Sequence, residues 1–103
     1  MATLRGTLAY SDDASIYFTL ATVTASAAKN PGPRRIIRIV SDQRINVAFG
    51  PTNAVAAPTA TTGNQIPANF PVDIETSDGQ SWCIFFNPTA STANICISFL
   101  AKA

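Results

Sequence analysis

Cys83 and Cys96 stand on either side of the loop Asn87-Pro88-Thr89-Ala90-Ser91-Thr92. If the flanking runs Ser81 to Phe86 and Ala93 to Leu100 form a hairpin in which Phe86 pairs with Ala93, the two cysteines face each other. Opposed thiols can close a cross-strand disulfide or give a metal two ligands. A metal needs further ligands, and the chain has no His and no third Cys. Two cysteines are also too few for a secreted disulfide scaffold, so we read them as small apolar residues filling a sheet in a reducing compartment.

Arg34, Arg35, Arg38 and Arg44, with Lys29, make the one cluster of charge. Guanidinium groups recognise carboxylates and phosphates, so the four arginines are the candidate partner interface. Because strand side chains alternate, Arg34 and Arg38 are expected on one face and Arg35 on the other. That split, without interleaved aromatic residues, argues against a groove for nucleic acid. The alternative is a solvated edge strand protected by its charge.

The carboxylates offer less. Asp12 and Asp13 are adjacent, and Asp73 and Glu75 share a strand face. Hydrolysis of a sugar by such a pair needs a cleft and a raised pKa, for which a chain of 103 residues has little volume. Trp82 with Phe85, Tyr10 and Tyr17 is a possible carbohydrate platform; Trp82, Ile84 and Phe86, however, share a strand parity that reads as core. Serines have no His to activate them. No catalytic residue, metal or cofactor is assigned, and no enzyme is expected.

Composition agrees. Lys and Arg number 7 against 6 Asp and Glu, a net charge of +1, and only 13% of residues are charged. Ordinary soluble domains carry about 25%. A near-neutral chain lacks the positive field of non-specific nucleic-acid binding. Ala, Thr and Ser account for 37 residues, which makes a smooth surface that suits packing against neighbours. Prolines interrupt the long uncharged stretches, so no membrane helix is expected. Asp12 and Asp13 precede the stretch Ala14 to Ala28 where a signal peptide wants positive charge, so no targeting segment is read either.

These side chains are positioned by strands. Ser15 to Ala25, Arg35 to Val40, Ile45 to Phe49, Val72 to Thr76, Ser81 to Phe86 and Ala93 to Leu100 alternate or run apolar, separated by turn residues such as Asn30-Pro31-Gly32-Pro33 and Ser77-Asp78-Gly79. The first ten residues, with Leu4, Leu8 and Tyr10, offer one more. No window keeps helical spacing. The expectation is a single all-β domain over residues 1–103, an antiparallel sandwich of about 7–8 strands. Residues 51–69, rich in Ala and Thr with three prolines, form a long crossing loop or an arm. The ends, Met1-Ala2-Thr3 and Ala101-Lys102-Ala103, are small enough to reach a neighbour.

The run Ile37-x-Ile39-Val40-Ser41-Asp42-Gln43-x-Ile45-x-Val47-Ala48-Phe49-Gly50 precedes that small-residue stretch. Then come Ile66-Pro67-Ala68-Asn69, a Gly turn before Trp82 and a closing strand Asn94-Ile95-Cys96-Ile97-Ser98. From Ile36 to Leu100 this order resembles the capsid decoration, or cement, proteins of tailed bacteriophages. The resemblance implies a jelly-roll fold and a homotrimer that clamps the major capsid protein lattice at the capsid surface of a virion. Such a protein is made in the host bacterial cytoplasm, with no nucleic-acid or membrane partner. Arg34, Arg35 and Arg38 would then orient it on partner carboxylates, with Arg44 as the fourth residue of the candidate interface. Two alternatives stay open: a tail, fibre or baseplate adaptor subunit, and a small carbohydrate-binding module.

Overall fold

The computed structural model describes residues 9, 10 and 14–101. The strand expected from Leu4 and Leu8, the Asp12–Asp13 pair and most of both arms lie outside these residues. Among the described residues there are nine strands and no helix: β1 (Ala9–Tyr10), β2 (Ile16–Leu20), β3 (Thr24–Ala25), β4 (Ile36–Ser41), β5 (Ile45–Gly50), β6 (Asn64–Ile66), β7 (Val72–Glu75), β8 (Trp82–Asn87) and β9 (Ala93–Ala101). They form two antiparallel sheets. The first runs β2-β9-β4-β7, with β1 continuing beside β9 along the β2 edge, and the second runs β3-β8-β5-β6. This is the jelly-roll order, in which the sandwich is a long hairpin rolled up on itself.

The register makes the rolling explicit. The numbers of paired residues add to 111 in β3–β8 (Thr24↔Asn87), in β4–β7 (Ile36↔Glu75) and in β5–β6 (Ile45↔Ile66). In β2–β9 the total is 113 (Ile16↔Ile97), a slip of two residues that keeps every side chain on its face. The chain is therefore one ribbon whose tip is the segment 51–63. Within 51–69, β6 pairs with β5 in the second sheet, and the passage to the first sheet is confined to 67–71.

The core fills the space between the sheets by alternation. Ile37, Ile39 and Ser41 of β4 point inward with Ala93, Ile95, Ile97 and Phe99 of β9. Ile45 and Val47 of β5, Ile66 of β6 and Cys83 and Phe85 of β8 meet them from the second sheet. The Phe18 and Phe85 rings touch at a centroid distance of 5.5 Å, tilted by 55°. Each fully buried Ile or Phe here contributes about 1.5–3 kcal/mol relative to exposure. At the ends, buried polar groups close the sandwich. The Thr76 hydroxyl donates to the Gly32 carbonyl (2.6 Å) and accepts from the Arg35 amide (2.9 Å). Asn46, on the outer side of β5, donates to the carbonyls of Thr59 and Thr62, both at 2.8 Å, and straps the ribbon tip to the sheet.

Three expectations from the sequence are corrected. Ser15 to Ala25 is not one strand: the chain leaves the first sheet after Leu20 and enters the second at Thr24, turning at Val23, whose φ is 49°. Ser81 to Phe86 and Ala93 to Leu100 do not form a hairpin, because the link 88–92 passes between the sheets. Cys83 therefore opposes Phe49, while Cys96 opposes Tyr17 and Val40, and both are free thiols. In β8 the inward parity is Cys83, Phe85 and Asn87, so Trp82, Ile84 and Phe86 lie half-buried on the outer face of the second sheet instead of in the core. With Trp82, Cys83, Ile84, Phe85 and Phe86 all apolar, the phase is set at Asn87, whose amide binds the carbonyls of Leu20 and Ser91 inside the sandwich.

Candidate functional site

The outer face of the first sheet is built from the odd positions of β2 and the even positions of β4 and β9. Their register lays Tyr17, Cys96 and Val40 in one row across three neighbouring strands. Tyr17 is 66% exposed and Val40 37%, among the few large apolar side chains that the described residues leave to solvent. Cys96 between them is half-buried, with Sγ 3.7 Å from the Ser98 hydroxyl. Below the row, Asp42 accepts the Asn94 backbone amide (2.8 Å) and side-chain amide (2.6 Å), and the Tyr17 hydroxyl donates to Asn94 Oδ1 at 3.4 Å. Those two donations, the backbone one first, hold the Asp42 carboxyl below its ordinary value of 3.8.

Above the row, Arg38 lies between Ser98 of β9 and Asp73 of β7. Its Nε and Nη2 donate to the two oxygens of Asp73 at 2.8 and 2.9 Å, a fork that cancels both charges on the face. The result is a face of apolar and neutral polar groups on which Arg38 and Asp73 answer each other's charge, with the Asp42 carboxylate held by neutral donors at one end.

The four arginines do not come together. Arg34 precedes β4 in a left-handed conformation (φ 53°) and meets Asp78 at 2.7 Å in a largely exposed pair. Arg35 has the inward parity, its guanidinium 4.4 Å from the centre of the Phe99 ring. Arg38 is on the outer face, so the expected division between Arg35 and Arg38 is observed. Arg44 lies beyond the other end of β4, in the turn to β5, and makes no ion pair among the described residues. Strand rise puts Arg35 and Arg44 about 20 Å or more apart along the chain. A concentrated cationic patch is not what these residues form.

The carbohydrate platform is likewise dispersed. Trp82 is outside the second sheet, Phe85 is fully buried and Tyr17 is outside the first sheet. Among the described residues no group of three or more His, Cys, Asp or Glu is placed to hold a metal. Among the described residues no helix is long and apolar enough to cross a membrane. Burial pushes the Cys83 thiol up to about 12 from its ordinary 9.0, with nearby Lys29 offsetting part of the rise. The Tyr17–Cys96–Val40 row was missed in the sequence because its members are far apart in the chain; the alternation of Ile16 to Leu20 put Tyr17 outside but could not name its neighbours. Comparison of the chain with protein-family models, with curated proteins and with solved structures finds no match.

Proposed function

We propose that this chain is a structural protein that docks on an assembled protein surface, and that it decorates and stabilises the coat lattice of a bacteriophage head. The observation that carries docking is the outer face of the first sheet, where Tyr17 and Val40 stand exposed while Arg38 and Asp73 neutralise each other. A surface with apolar side chains exposed and charges paired internally loses little on desolvation when a partner covers it. The lattice as partner comes from the sequence resemblance to decoration proteins, whose jelly-roll fold this chain shares. Arg44, without an ion pair among the described residues, is the arginine best placed to add a contact to a partner carboxylate. Self-association as a trimer would multiply a weak single contact through effective concentration on the lattice.

The test is to quantify the chain in purified particles and to sediment the protein with assembled and with unassembled coat. Hundreds of copies per particle and binding to the assembled shell alone are expected, with a native mass of three chains in solution. Tyr17→Lys with Val40→Lys should weaken shell binding by about a hundredfold or more, as truncating buried anchors does. A few copies per particle would move the chain to the tail or baseplate. Absence from particles, or equal binding by the double variant, would overturn the reading.

A further inference from the structure

A sheet edge is a row of unpaired N–H and C=O groups, and soluble proteins normally blunt it with shortness, proline or charge. Three of the four edges here are blunted. In the second sheet, β3 has two residues, and β6 has three and runs into Pro67. In the first sheet, β7 follows Pro71 and carries Asp73 and Glu75. The fourth edge, β2, has five residues without Pro, Gly or charge. Its groups pointing away from β9 have no backbone partner among the described residues.

A cation stands beside that edge. Lys29 belongs to the neighbouring edge of the second sheet, where it bridges to Cys83 in an antiparallel pair. Its ammonium reaches across the open flank of the sandwich to lie 4.3 Å from the centre of the Phe18 ring. No carboxylate pairs with it among the described residues. A strand added antiparallel to β2 would place one side chain directly opposite Phe18 on the same face, with Cβ atoms about 5 Å apart.

We propose that β2 is a docking rail for an extended segment of another protein, and that Lys29 selects a segment bearing a carboxylate opposite Phe18. Main-chain hydrogen bonds supply the affinity and the Lys29 contact sets register. A second copy of this chain is a poorer occupant, since two-fold pairing of β2 on β2 would bring two Lys29 ammonium groups together without an anion. The inference rests on the protein-docking reading above and names the partner's chemistry for the edge that adjoins the Tyr17 row.

The test uses the purified chain without particles, so its failure is separable from failure of the lattice reading. The probe is a capped nine-residue peptide of alternating Thr and Val with one central Asp, compared with its Asn counterpart. Backbone amide shifts and hydrogen exchange of the labelled protein are followed. The Asp peptide should slow exchange at the amides of Ile16 to Leu20 that point away from β9. It should bind about fivefold more tightly than the Asn peptide, the upper range for an exposed ion pair. Lys29→Met should keep both peptides bound and remove the difference. Protection at β3, β6 or β7, no protection at millimolar peptide, or equal binding of the two peptides would overturn the proposal. Protection of β2 that grows with protein concentration in the absence of peptide would make the occupant a second copy, and would overturn the choice of a foreign strand.

Discussion

Asn87, fully buried at the end of β8, donates its side-chain amide to the carbonyl of Leu20, 67 positions earlier, at 3.0 Å. The same amide reaches the Ser91 carbonyl at 2.8 Å, and Asn87 Oδ1 accepts the Thr89 amide at 3.0 Å and hydroxyl at 2.7 Å. One side chain thus holds together the end of β2 and the link from β8 to β9. Asn87→Ala leaves several buried groups without partners and should cost about 3 kcal/mol, or about 15 °C in Tm. Asn87→Asp, of equal size, sets a carboxylate against carbonyl oxygens and should cost at least as much at pH 7. Thermal and urea unfolding of both variants check this.

The two thiols should behave differently. Cys83 is buried with its thiol pushed up to about 12, while Cys96 is half-exposed on the outer face. An aromatic disulfide reagent at pH 8 should modify Cys96 in the native protein and both cysteines after unfolding. The raised thiol also binds its proton more tightly when folded. The stability this lends is complete below the unfolded value near 9.0 and is lost as pH rises toward 12. In that window the wild type should lose about 1.4 kcal/mol per pH unit relative to Cys83→Ala, so the gap between them narrows. Urea titrations at pH 8, 9.5 and 10.5 test the sign.

Asp42 carries the opposite linkage. Its carboxyl is held below 3.8 by the two Asn94 donations, so the stabilisation is present above that value and is lost as pH falls through the lowered one. The Asp42 carboxyl carbon should titrate below its unfolded value in NMR, and Asn94→Ala, which removes the side-chain donation and keeps the larger backbone one, should bring the midpoint only part of the way back up.

Backbone strain predicts one gain and one loss. Val23, exposed and β-branched, sits at φ 49°, a region that penalises its side chain. Val23→Asn should stabilise by about 1 kcal/mol. Gly63 has φ +80°, and an added Cβ would lie 2.7 Å from the Pro58 Cβ and 2.8 Å from the Val47 carbonyl oxygen. Gly63→Ala should therefore cost about 2 kcal/mol or more and loosen the ribbon tip, which limited proteolysis between Thr52 and Thr62 would report.

The strands with strict alternation were legible from the chain alone. In β5, Ile45 and Val47 turn inward as the pattern requires, and in β4 the charge of Arg38 marks the parity opposite to the buried Ile37 and Ile39. The phase of β8 was not legible, because its residues are apolar on both parities and a buried asparagine decides between them. β6 was missed since Asn64-Gln65-Ile66 is short and two of its three residues face solvent. The hairpin misreading around Asn87 has the same root: a link of five residues joins strands within a sheet or between sheets, and only long-range contacts choose. The arginines looked clustered because nearness in sequence is distance on a strand, so Arg35 and Arg44 end up at opposite ends of β4.

The constant register of the rolled ribbon bears on how the chain is made. A ribosome releases β2 long before β9, so Leu20 must wait for Ala93 before its sheet exists. Pairing can begin where the ribbon doubles back, β5 against β6, and travel outward to the ends, closing β4 on β7 and β3 on β8 in turn. Until β9 emerges, the apolar sides of β2 and β4 have neither their central neighbour nor a finished core. The nascent protein is then at its most exposed to chaperones and to aggregation, and it becomes safe only when β9 slides between β2 and β4.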